Sequence, residues 1–208
     1  MATPTERLDK ALERHATEFH VDLSPEIILK LNDYYALLLK WNPRLHLVAP
    51  CSPEEFAVRH ILESLLLLKH LPRNASVVDV GSGGGLPVIP CLAAREDLRA
   101  CLIESSQKKA VFLSEALKRI RAADRTRVIC ARFADVDAPA ADFLTARALD
   151  RFGKMLPKLV AWAQPATTFL LYGGESLRIQ IKDLMPFVTG EQIPRSIRRF
   201  LFIARRAN

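Results

Sequence analysis

The chain has 208 residues, half of them hydrophobic, and a formal net charge of +7. That length suits one compact domain with a full core and a short appendage, and it excludes two large domains. The positive surplus favours a polyanionic partner, with RNA or DNA as the first candidates.

Cys51, Cys91, Cys101 and Cys130 show neither CxxC spacing nor histidines at metal-ligand spacing. Reduced thiols are therefore expected, with Cys91, Cys101 and Cys130 acting as small core residues in apolar runs, and no metal is expected. Met1 to Lys10 is polar and mixed in charge, unlike a signal peptide. Apolar runs such as Tyr34 to Leu39 are too short to span a bilayer. A cytoplasmic protein without a membrane partner is expected, and a monomer is the default state.

In chain order, a first helix is expected from about Thr5 to His15, with Leu8 and Leu12 inward. Ser24-Pro25-Glu26 then starts a helix with a hydroxyl cap, a first-turn proline and an acid. Ile27, Ile28, Leu31, Tyr34, Tyr35 and Leu38 follow at helical spacing. Trp41-Asn42-Pro43 is expected to end it, because proline disfavours helical geometry in the residue before it. Ser52-Pro53-Glu54-Glu55 repeats the start signal, and Glu55 would close a capping box with Ser52.

The chain changes character near Pro72, after which strand and helix signals alternate. Strands are expected at Ser76 to Val80, Ala100 to Glu104, Arg127 to Ala131, Asp142 to Thr145 and Thr168 to Tyr172. Gln107 to Arg121 reads as a helix with Val111, Phe112, Leu113 and Leu117 inward. Apolar strands separated by helices predict a parallel sheet covered on both faces. Phe187 to Ile193 and Arg199 to Ala204 lack a helix between them and would form an antiparallel pair at one edge.

The most informative stretch is Val77-Val78-Asp79-Val80-Gly81-Ser82-Gly83-Gly84-Gly85-Leu86-Pro87. A strand passes through an acid near its end and runs into alternating glycines. Such a loop turns sharply and lets a ligand lie against the backbone. Its place, the first βα turn of an open α/β sheet, is where ligands bind. The dinucleotide fingerprint G-x-G-x-x-G would need glycine where Leu86 stands. Gly81, Gly83 and Gly85 behind Asp79 instead resemble the first motif of S-adenosylmethionine enzymes. Asp79 would serve the cofactor's ammonium group. Glu104, at the end of the second strand, would accept from both ribose hydroxyls. A solvated acid at Glu104 and an oxidoreductase with a degenerate loop are the competing readings, though nothing downstream resembles a hydride-transfer site.

The fold class expected is α/β: a doubly wound, mostly parallel sheet of the Rossmann-like class I S-adenosylmethionine-dependent methyltransferase type. It carries an antiparallel C-terminal edge hairpin and a helical N-terminal segment. Residues 1–72 would form a helical extension packed on the core, and residues 73–208 the methyltransferase domain.

Several motifs narrow the family. Arg59-His60-Ile61-Leu62-Glu63-Ser64-Leu65 resembles the "RHILDSL" stretch of the RsmG family, also called GidB. Lys40-Trp41-Asn42 resembles its "KWN", and Asp79 to Pro90 its "DVGSGAGFPGIP". Lys108-Lys109-Ala110-Val111-Phe112-Leu113 resembles "KK..FL", Ala146-Arg147-Ala148 resembles "SRA", and Arg199-Phe200-Leu201 resembles a late "RHL". These stretches occur in the family's order across almost the whole chain.

The resemblance implies methylation of guanine N7 in the 530 loop of 16S ribosomal RNA, with S-adenosyl-L-methionine as cofactor and the small ribosomal subunit as partner. It implies cofactor contacts from Asp79, Gly81, Ser82, Gly83, Gly85, Leu86, Glu104, Phe133, Ala134 and Arg147. Pro87 would shape the wall near the transferred methyl, and Arg132 and Arg147 would lie near the reaction. Lys108, Lys109 and Arg199 would reach RNA; a wet helix surface for the lysines, or a salt-bridged Arg199, is the plainer alternative. Four positions depart from the pattern: His46 replaces an asparagine, Val88 a glycine and Ala134 an acid. Tyr172-Gly173-Gly174 replaces "KG", which removes a cation.

Guanine N7 carries a free lone pair and needs no general base, so the lack of an obvious catalytic His or Cys suits this target. Orientation of the base would then supply the catalysis.

Overall fold

The computed structural model describes residues 2–147 and 152–207. Ala148, the last residue of the Ala-Arg-Ala stretch, lies outside them.

Helix α1 spans Pro4–His15 and begins with a complete capping box between Thr3 and Glu6. Helix α2 spans Pro25–Leu45, with the Ser24 hydroxyl accepting from the Ile27 amide. It does not stop before Pro43. The exit comes later, where His46 takes left-handed geometry at φ 48°. There the Asn42 side chain accepts from the Val48 amide at 3.0 Å and donates to its carbonyl at 3.1 Å. This clasp fixes Asn42 within the last turn and outweighs the proline's local preference.

Residues 53–70 form one helical run, α3, with a π turn at Ala57–Leu62 and a 3₁₀ end at Leu66–His70. Ser52 caps it by accepting from the Glu55 amide. Glu55 does not close a box; its carboxylate takes Arg59 Nη1 at 2.6 Å, one turn on.

The remaining strands follow in the predicted order. The elements are β1 (Ser76–Val80), α4 (Val88–Ala94), β2 (Arg99–Ile103), α5 (Gln107–Arg119), β3 (Thr126–Ile129) and β4 (Phe143–Ala146). After them come α6 (Phe152–Trp162), β5 (Thr168–Gly173), α7 (Glu175–Leu184), β6 (Phe187–Gln192) and β7 (Phe200–Arg205). Among the described residues, β3 runs to β4 and β6 to β7 without an α-helix between them. Among the described residues the sheet order is β3-β2-β1-β4-β5-β7-β6. The first five strands pair in parallel, and β7 inserts antiparallel between β5 and β6. Strand order reverses between β1 and β4, which opens a crevice at the carboxyl end of β1.

Successive strand residues face opposite sides, so β5 serves two cores. Leu170 and Tyr172 join a cluster with Leu8, Tyr34, Phe56 and Phe112, while Phe169 and Leu171 pack with Leu159, Ile181 and Phe202. The front helices and one sheet face thus share a single apolar interior. Two inward assignments fail. Val111 is half exposed, because Ala110, Phe112, Leu113, Ala116 and Leu117 already fill the buried face of α5. Cys130 is exposed just past β3, where the strand has ended.

Candidate active site

The glycine loop leaves β1 with Gly81, Gly83 and Gly85 at φ 73°, 54° and 83°. That left-handed geometry is costly for residues with a side chain and explains the alternation. Gly85 is bound by space as well, since a Cβ there would lie 2.2 Å from Ile89 Cδ1. The loop is stitched to the neighbouring strand by Gly81 N–H donating to the Ile103 carbonyl at 2.8 Å.

Glu104 follows β2 and is 7% exposed. Its carboxylate accepts from the Gly83 amide and the Ser106 amide, each at 2.8 Å. Asp79, on β1 directly below the loop, is fully buried, and among the described residues neither carboxylate oxygen has a hydrogen-bond partner. The Ser82 hydroxyl donates instead to the Asp79 backbone carbonyl at 3.1 Å. Burial pushes the Asp79 carboxyl up to about 7; the nearby Ser82 hydroxyl opposes this and the Glu104 charge adds to it. A buried acid left without partners is expensive, and a cation arriving beside it would relieve that cost.

A cleft of about 540 Å³ opens above these groups at the carboxyl ends of the strands. The glycine loop, Glu104 and Ser105 form one side, with Lys109 at the start of α5. His46, Leu47, Val48 and Ala49 form a second wall, and His60 and Arg147 close a third. A larger depression of about 760 Å³ lies at the opposite, amino-terminal ends of β1, β2 and β3, among Arg99, Arg125 and Arg127. It has no glycine loop, and open α/β sheets bind ligands at the carboxyl ends. The smaller cleft is the candidate site.

Arg147 sits just after β4 and is largely buried. It donates to the Arg59 carbonyl at 2.6 Å and to Glu63 Oε2 at 3.3 Å, and its guanidinium lies 5.4 Å from the Tyr172 ring centre. Glu63 is 1% exposed and also takes Arg199 Nη1 at 2.7 Å. Burial raises the Glu63 carboxyl above its ordinary range, against the pull of Arg147 and Arg199. His60 is pushed down to about 3, chiefly by burial and then by Arg147, Arg59 and Arg199, so its imidazole is neutral near pH 7.

Gly81, Ser82, Gly83, Leu86, Glu104, Lys109 and Arg147 therefore meet in the cleft, with Asp79 and Gly85 beneath. Pro87 is buried at the start of α4, and Lys108 is exposed beside Lys109. Arg132 is exposed, Ala134 borders a different depression, and Phe133 packs edge-on against Trp162 with ring centres 5.4 Å apart. None of these three lines the cleft, because the chain after β3 turns toward α6. Arg199 borders a neighbouring cleft of about 340 Å³ and is held by Glu63. Tyr172 donates from its hydroxyl to the Glu63 carbonyl at 2.9 Å. The sequence reading missed the wall at residues 46–49 and His60; the polar Asn42 at a helix end was the available sign of the first.

A doubly wound sheet, a glycine loop flanked by an acid on either side in sequence and a cleft at the switch point define a class I S-adenosylmethionine-dependent methyltransferase fold. An RNA methyltransferase from Salinibacter ruber, solved with S-adenosylhomocysteine, shares it at TM-score 0.56 and 16% identity, over 77% of this chain and 95% of its own. A SAM-dependent methyltransferase from Aquifex aeolicus matches at TM-score 0.52 and 15% identity, over 68% and 88%. The family follows from sequence: the GidB family model, described as rRNA small subunit methyltransferase G, matches residues 27–197. This chain belongs to that family. Relatives named Ribosomal RNA small subunit methyltransferase G include one from Paracoccus denitrificans, 37% identical over 74% of this chain and 80% of its own length. Another, from Xanthomonas campestris pv. campestris, is 42% identical over 78% and 76%.

Proposed function

We propose that this chain transfers a methyl group from S-adenosylmethionine to N7 of a guanine in the 530 loop of 16S ribosomal RNA, on the small ribosomal subunit. The observation that carries the reading is one cleft that joins the glycine loop and Glu104, with Asp79 buried beneath, to a pinned arginine. The residues fit the cofactor. Asp79 offers an unpartnered carboxylate for the methionine ammonium, and Glu104 offers a carboxylate for the ribose hydroxyls. When bound, S-adenosylmethionine supplies an electrophilic methyl group.

The protein's part is binding and orientation. Arg147 presents guanidinium donors, which suit the O6 edge of guanine. Lys109 faces the cleft and Lys108 the solvent beside it, where phosphates of a splayed-out loop would pass. His60 is a poor base, and none is needed, because the N7 lone pair is already free. Rate then comes from holding N7 in line with the bond that breaks.

The test is incubation with methyl-labelled S-adenosylmethionine and small subunits lacking the 530-loop mark, mapped by primer extension after cleavage at 7-methylguanine. Label at that loop guanine is expected. No label there, with S-adenosylhomocysteine still raising the melting temperature, would overturn the target and keep the cofactor.

A further inference from the structure

We infer that Glu63 is a positioning residue of the methyl-transfer site, which holds the Arg147 guanidinium against the cleft wall and links it to Arg199. The inference deepens the function proposed above and rests on it for the identity of the substrate.

Glu63 sits in α3 just past the π turn, among the irregular turns that α-helices often carry at functional sites. Its carboxylate is 1% exposed and lines neither cleft, so it touches neither cofactor nor base. A buried acid needs one cation to offset desolvation. This one takes two, from positions 84 and 136 residues away in sequence. Arg199 Nη1 lies 2.6 Å from Oε1 and 2.7 Å from Oε2, and Arg147 Nη2 lies 3.3 Å from Oε2.

Each arginine borders a different cleft, and Glu63 stands between them. The Arg147 fork is gripped on one side by the Arg59 carbonyl and Glu63, with Tyr172 under its face. The Tyr172 hydroxyl donates to the Glu63 carbonyl, so the same ring that supports the cation fixes the backbone of the acid. Without the carboxylate, the largely buried Arg147 and the half-buried Arg199 are like charges with no acid between them, and the fork loses its fixed direction.

Glu63→Gln keeps the shape and removes the charge. The expected result is a roughly ten- to hundredfold slower single-turnover transfer, the scale of misplacing a positioning group. Affinity for S-adenosylhomocysteine should stay within about threefold, since Glu63 does not line the cofactor cleft. Glu63→Asp should recover part of the rate. In an Arg147→Ala background, Glu63→Gln should cause no further loss, because it acts through that arginine. An unchanged rate, an equal loss in both backgrounds, or cofactor affinity falling as far as the rate would each overturn the inference.

Arginine side-chain 15N spectra read the same point without activity. Arg147 should give resolved Nη signals from hindered rotation in the parent protein, and these should merge in Glu63→Gln. Identical spectra overturn the inference. If the parent protein leaves the subunit unlabelled, the substrate reading fails while these spectra still decide the role of Glu63.

Discussion

Tyr34 donates its hydroxyl to the Gly84 carbonyl at 2.6 Å, across 50 residues of sequence, in a fully buried setting. A helix from the front of the chain thereby holds the crest of the glycine loop. At the same crest a Cβ on Gly84 would meet the Leu47 carbonyl at 3.4 Å. The front segment is thus part of the cleft's construction as well as cover for the sheet. Tyr34→Phe keeps the ring and strands a buried carbonyl, at a cost of about 1–3 kcal/mol. The melting temperature should fall by on the order of 5 °C for a chain of this size. Titration should also show weaker S-adenosylhomocysteine binding, and unchanged binding would separate Tyr34 from the loop's geometry.

Glu104 makes a narrower claim. Its two amide contacts hold Gly83 and Ser106, and under the proposed function the same carboxylate would take the ribose hydroxyls. Glu104→Ala should weaken cofactor binding by roughly ten- to hundredfold, the scale of one or two charge-assisted hydrogen bonds. RNA association measured by anisotropy should be kept. Equal affinity for S-adenosylhomocysteine in the variant would remove Glu104 from the site.

Much of this was legible in the sequence because it is local. The alternating glycines behind Asp79 announce left-handed turns, and Ser24-Pro25 and Ser52-Pro53 mark helix starts within a residue. What escaped depends on distance in the chain. Asn42 clasping Val48 prolongs α2 past Pro43, and only that clasp makes residues 46–49 a cleft wall. Tyr172 read as a lost cation, yet its ring lies beneath one. Arg199 read as an RNA contact or a salt bridge; the structure shows the bridge, with an acid 136 residues away that no spacing rule could pair with it. Phe133 and Ala134 follow the third strand as expected, but the direction of the chain after a strand is set by packing against Trp162.

Asp79 predicts a pH dependence with a definite sign. Its carboxyl is raised from an ordinary 3.8 to about 7, with burial the main cause. Between those values the folded chain holds a proton that the unfolded chain has released. Stability of the cofactor-free protein therefore falls as pH rises through that window. At about 1.4 kcal/mol per pH unit, the penalty reaches roughly 4 kcal/mol above pH 7. Asp79→Asn removes it, so the variant should melt higher than the parent at pH 8, with the gap closing toward pH 4. Cofactor binding should run the other way, strengthening in the parent as pH rises through about 7 and staying flat and weak in Asp79→Asn. A constant gap in melting temperature across pH 4–8 would refute the buried, unpartnered acid.

Arg147 separates binding from transfer. It borders the cleft but is anchored from behind by Arg59, Glu63 and Tyr172, so it can present donors without being carried by the cofactor. Arg147→Ala should slow transfer at saturating cofactor by about a hundredfold, as loss of a preorganised donor does. Affinity for S-adenosylhomocysteine by calorimetry should change only a few-fold. Arg147→Lys should rescue little, because an ammonium cannot reproduce the fork that meets both the Arg59 carbonyl and Glu63. The opposite pattern, with cofactor binding lost and the saturated rate kept, would make Arg147 a cofactor ligand. In that event the base would have to be oriented from the Lys109 side of the cleft.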